Sequence, residues 1–141
     1  MKSSSGLAYE VLNAILCEDA RKDKSEKDIL VGVFSGNIFV SKFPANVPLV
    51  VWLNVKVRGV GKDSLEVKLT SPSSKKPLTG TFLLEKKESD TYDTLSVATP
   101  TAMVSMEKPG DLKFQIKQSN GRWKTLISKK VLPAPEGTFA E

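Results

Sequence analysis

Apolar residues recur along this chain with a period of two. Leu65, Val67 and Leu69 alternate with Glu66, Lys68 and Thr70, and Leu112, Phe114 and Ile116 alternate with Lys113, Gln115 and Lys117. Successive side chains of a strand point to opposite faces, so each run predicts a strand with one face in a core and one in water. Val51, Leu53, Val55 and Val57 form a third apolar set. Opposite them, Val50 and Trp52 give way to Asn54, Lys56 and Arg58, so this strand is expected to start with both faces covered and end with one in water. Val11–Cys17 and Ile29–Phe34 are apolar on both faces and are predicted to be central strands.

Shorter strands are predicted at Ile38–Val40, Thr81–Leu84, Thr94–Val97 and Ala102–Met106. Gly36-Asn37 breaks the chain before Ile38, as a bulge or tight bend would. Asn120-Gly121 joins Leu112–Gln118 to Arg122–Val131 as a hairpin, because both turn residues tolerate positive φ. Gly59-Val60-Gly61 reads as a second hairpin turn. Leu7–Ala20 does not resolve a helical stripe. About seven to nine short strands between turn signals predict an all-β fold, an antiparallel β-sandwich of immunoglobulin-like or C2-like type. A single domain is expected over residues 7–132, with residues 1–6 and 133–141 as terminal tails.

Ala14-Ile15-Leu16-Cys17-Glu18-Asp19, then Val31-Gly32-Val33-Phe34, Ile38 and Phe43-Pro44-Ala45 ahead of Pro48, resemble a family of small uncharacterised bacterial domains. In that family an Ile-Leu-Cys-acid strand leads into a Gly-aromatic hairpin strand and a Phe-Pro connection. Pro109-Gly110-Asp111-Leu112, Phe114 and the Asn120-Gly121 hairpin extend the resemblance, which covers about residues 10–132 but not 71–106. It implies a β-sandwich and a bacterial or phage context, and it transfers no activity or catalytic residue.

Composition narrows the chemistry. The chain has no histidine and one cysteine. That excludes serine–histidine and cysteine–histidine nucleophile systems, histidine-bearing metal sites and a thiolate cage. No internal disulfide can form, and a reducing, cytoplasmic setting is expected. No apolar run reaches the ~20 residues that span a bilayer. The net charge is +5, with arginine only at positions 21, 58 and 122. The lysines are interleaved with acids, as in Asp23–Asp28 and Glu85–Glu88, which marks solvated faces rather than a nucleic-acid or membrane footprint.

The candidate chemistry is correspondingly thin. Cys17 could be a nucleophile, but Glu18 and Asp19 beside it disfavour a thiolate, and burial on a strand is expected. The acids around residues 18–28 and 88–93 could hold calcium, yet Arg21, Lys22, Lys24 and Lys27 interleave the first group and no calcium-loop spacing occurs. Gly59-Val60-Gly61-Lys62 lacks phosphate-loop spacing. No cofactor or metal is expected.

The aromatic residues Phe39, Phe43, Trp52 and Trp123 remain as candidate partner-binding positions, because tryptophan is a frequent interface anchor and Phe39–Pro48 could line an apolar patch. Two strands are expected to offer contact surfaces: Arg122–Val131 as an incompletely guarded edge, and Leu49–Val57. The expectation is a non-catalytic module binding a protein partner or itself. The alternatives are a small-ligand binder or enzyme working through carboxylates and lysines, and a structural component of a phage or secretion apparatus.

Overall fold

The computed structural model of the protein describes residues 6–72 and 76–135. Among them are ten strands and no helix: β1 (Ala8–Lys22), β2 (Asp28–Val33), β3 (Ile38–Val40), β4 (Ala45–Arg58), β5 (Gly61–Thr70), β6 (Leu78–Lys86), β7 (Thr94–Ala98), β8 (Ala102–Met106), β9 (Gly110–Lys117) and β10 (Trp123–Pro133). They form two five-stranded sheets. The first runs β2-β1-β4-β7, with β8 also paired to β4; the second runs β3-β10-β9-β5-β6. Every pair is antiparallel except β3 with β10.

One core lies between the sheets. Leu16, Leu49, Val51, Leu53, Val55, Val57, Val104 and Met106 come from the first, and Leu65, Val67, Leu84, Leu112, Phe114, Ile116, Ile127 and Val131 from the second. The three period-two runs therefore face inward as their patterns predict. Leu69, at the end of its run, is half-buried against the same core.

Two bulges reset the phase of the pattern. On β1 the register to β4 shifts between Val11 and Asn13, leaving Leu12 as an extra, exposed residue. Tyr9 and Val11 pack on the core before it, Ala14 and Leu16 after it. An inserted residue moves every later side chain to the opposite parity, so Val11–Cys17 looks apolar on both faces; one face packs on the core, and on the other Cys17 is fully buried while Leu12 is exposed. On β10 the shift falls between Thr125 and Ile127.

The strands are not uniformly short: β1 has 15 residues and β4 has 14. β4 is held by β1 on one flank and by β7 and then β8 on the other. Leu49–Val57 is therefore an interior strand and offers no open edge. The path beside it breaks at Thr99-Pro100-Thr101, where Thr99 donates its backbone N–H to the Val51 carbonyl (3.0 Å) and its Oγ1 accepts from the Val51 N–H (2.9 Å). Proline has no N–H for a ladder, which fits the interruption.

One strand and two connections differ from their sequence reading. β2 is an edge strand rather than a central one, because only β1 pairs with it. Residues 34–37 carry the chain from the first sheet to the second, so Gly36-Asn37 is a sheet crossing. Gly59-Val60-Gly61 also crosses between sheets, from β4 to β5. Gly59 has φ +77°, and a side-chain carbon there would collide with the Gly6 carbonyl. The Asn120-Gly121 hairpin forms as expected, but positive φ is needed only at Gly121. Gly121 donates to the Gln118 carbonyl (2.9 Å) and Gln118 to the Arg122 carbonyl (2.8 Å), a three-residue loop ending on a left-handed glycine.

Candidate functional site

The four aromatic candidates are dispersed. Phe39 lies on β3 opposite Leu132, exposed. Trp123 begins the same neighbouring strand nine positions earlier, about 30 Å away along an extended chain. Its ring carries Lys68 Nζ 4.2 Å from the centroid. Phe43 is half-buried against the core, in a cis peptide bond with Pro44. Trp52 belongs to the outer face of the other sheet, opposite Ile15 and Ala98.

Trp52 is covered by the chain itself. Asp28 pairs with Lys22 toward the end of the β1–β2 hairpin, yet its carboxylate accepts a short hydrogen bond from Ser96 Oγ on β7. In the sheet, β4 and β1 lie between β7 and β2. Ser96 alternates with the core-facing Leu95 and Val97, so it points to the outer face. The hairpin end therefore folds back over that outer face. Cys17 and Val50, also on the outer face, are shut off from solvent, Cys17 completely.

The Asp28 carboxyl is the charged centre of this fold-back. Desolvation works to raise its pKa, but hydrogen bonding from Ser96 and Lys22, assisted by the nearby Trp52 indole, outweighs it and holds the carboxyl below the usual carboxylate range. The indole Nε1 is buried without a hydrogen bond of full geometry, so its effect on Asp28 is chiefly that of a nearby dipole. Lys22 Nζ lies 3.1 Å from the carboxylate. The Cys17 thiol is pushed up, mainly by burial; the Asp19 charge adds to this and the Asp19 backbone N–H opposes it. A high pKa and full burial make Cys17 an inert packing residue.

The acidic loops are occupied by their own turns. Asp23 Oδ1 accepts from the Ser25 N–H, Ser25 Oγ and the Lys27 N–H at 2.8–2.9 Å, and these bonds lower its pKa. Asp90 accepts from the Lys87 N–H (2.8 Å), while Tyr92 donates to the Glu85 carbonyl (2.6 Å). Among the described residues no cluster of three or more histidine, cysteine or acidic side chains could hold a metal ion. A depression of about 460 Å³ beside Val60, Lys62, Glu85 and Lys87 is shallow and open.

A second depression, about 350 Å³, has a different construction. Its walls are Ala14–Leu16 of β1, Val33–Ser35 at the end of β2, and Leu126–Lys129 of β10. β3 covers β10 only at Val131–Pro133. Over Trp123–Lys130, β10 is bonded to β9 on one flank and to no strand of the described residues on the other. Arg122–Val131 is thus interior at its last residue and open before it. On the adjoining edge strand, Ile29, Val31 and Val33 form an apolar row, 45%, 45% and 49% exposed.

Sequence reasoning weighed Asp28 only among the acids that could hold calcium, and passed over Ser96 and the β2 row. The first two are ordinary loop and strand residues until the hairpin folds back. For the third, the alternation Ile29-Leu30-Val31 carries no polar face to mark exposure.

No family model matches the chain and no curated protein does. Solved structures share its fold. A β-glucosidase from Listeria innocua matches with a TM-score of 0.51 at 12% identity, over 93% of this chain and 16% of that one. The same enzyme in complex with glucose matches with a TM-score of 0.50 at 11% identity, over 92% and 16%. The chain thus spans about a sixth of the enzyme's length, and at this identity the likeness is one of fold alone. Among the described residues no helix is long and apolar enough to cross a membrane.

Proposed function

We propose that this chain is a non-catalytic, immunoglobulin-like β-sandwich that binds another protein. The immunoglobulin-like reading rests on strand order. β1-β4-β7 follows the A-B-E order of one sheet of that fold, and β10-β9-β5-β6 follows the G-F-C order with an added C′ strand. The β1–β2 hairpin is then an elaboration of the first strand.

The binding role rests on one observation: the bare flank of β10 borders a groove whose facing wall includes Val33, the exposed end of the apolar row of β2. Open strand edges are ordinarily guarded by charge, proline or covering structure. On β2, Ile29, Val31 and Val33 carry no such guard. Occurrence of the fold as a segment of a longer enzyme accords with a modular role. The groove lacks the converging acids or bases of a reaction site: its only polar side chains are those of Ser35, Ser128 and Lys129.

The test is affinity capture with the wild type and with Val33→Lys, alongside mass by light scattering. Loss of a captured protein by a variant with an unchanged unfolding midpoint supports the assignment. Retention of every partner and the same mass removes this side of the molecule as the binding surface.

A further inference from the structure

We infer that the open flank of β10 takes up an extended acidic segment of another protein as an added strand. This rests on the protein-binding reading and names the chemistry of the partner.

The geometry supplies the backbone groups. Ala134 donates its N–H to the Val40 carbonyl of β3 (2.8 Å), so even-numbered residues at this end of β10 direct their N–H and C=O groups to the β3 flank. Alternation along a strand carries the same direction back to Lys130 and Ser128. β3 ends its pairing at Val131, so those groups meet no protein partner strand. An added strand would continue the second sheet there, in line with β3.

The side chains set the composition of the segment. Arg122, Lys124 and Lys129 form no ion pair among the described residues, and Lys130 faces Asp111 across the ladder without reaching ion-pair distance. By register Lys124 and Lys129 lie on the inward face of β10, opposite Ile116 and Leu112, while Lys130 lies on the other face and Arg122 just precedes the strand; acids are therefore called for chiefly on the inward side of the segment beside it. The segment is therefore extended, with acids at alternate positions. A second copy of β10 is disfavoured, because two-fold pairing would bring Arg122, Lys124, Lys129 and Lys130 of both copies together.

The test uses a fluorescein-labelled strand-length peptide of alternating glutamate and valine, about six residues, and the full chain. Saturable binding that weakens with salt is expected. Methylating the peptide's backbone nitrogens on one flank should reduce affinity by about two- to tenfold for each hydrogen bond removed. Lys124→Glu with Lys129→Glu should reduce it by about tenfold or more. Ser128→Pro removes an outward N–H without touching the β9 ladder and should act like methylation; the methylated peptide gives the same information without any change to the protein. Equal binding of native and methylated peptides overturns strand addition, as does preferential binding of a single-stranded oligonucleotide of equal length. If Lys124→Glu/Lys129→Glu keeps every protein that the wild type captures, the inference fails while the protein-binding reading stands. If the wild type captures nothing and binds no peptide, both fail.

Discussion

Replacing Asp28 with alanine should loosen the end of the β1–β2 hairpin from the outer face of the first sheet. The hydrogen bond from Ser96 Oγ to an ionised, mostly covered carboxylate contributes about 1.5–3 kcal/mol. The Lys22 pair, half open to solvent, adds less than about 1 kcal/mol. The expected loss is thus about 2–3 kcal/mol, measured by urea denaturation of Asp28→Ala. Ser96→Ala and the double variant complete a cycle whose coupling should be about 1–2 kcal/mol. Cys17 is buried on that same outer face, and thiol labelling in Asp28→Ala should speed up before global unfolding begins. The pH dependence has a definite sign. The carboxyl is lowered in the folded state, so its contribution is complete above the ordinary carboxylate pKa and disappears as pH falls through the lower folded value. Asp28→Ala should therefore narrow its stability gap to the wild type in acid. A loss below about 0.5 kcal/mol with no coupling to Ser96 would refute the fold-back as a stabilising contact.

Phe114→Ala, which empties a site between the two sheets, should cost about 3–5 kcal/mol by denaturant midpoint; an unchanged midpoint would place its ring outside the core. Native wild-type Cys17 should react slowly with a mild thiol reagent and rapidly once denatured, and stoichiometric labelling of the folded protein would contradict its burial. Gly59→Ala should destabilise by at least about 1 kcal/mol, through both left-handed backbone and collision with the Gly6 carbonyl; a neutral result in thermal unfolding would show that the β4–β5 crossing relaxes.

Local alternation was enough to identify the strands around Leu65–Leu69, Leu112–Ile116 and Val51–Val57 and the faces they bury. That information is carried within each strand: polar and apolar side chains two residues apart must part to opposite faces. The absence of histidine and a second cysteine likewise bounded the chemistry without any coordinates. Edge and centre are another matter, because they depend on which strands neighbour each other. Ile29–Phe34 carries the composition of a central strand yet lies at an edge, and Leu49–Val57, expected as a contact surface, is enclosed on both flanks. The β1 bulge at Leu12 mimics a strand buried on both faces, since an inserted residue is invisible until its partner strand sets the register. Trp52 and Trp123 look alike as candidate anchors. Tertiary structure separates them: the Asp28–Ser96 contact draws a hairpin over one, while the other stands beside a strand flank that β3 leaves uncovered. Alternation is a property of one strand, whereas exposure of a flank is a property of the strands around it.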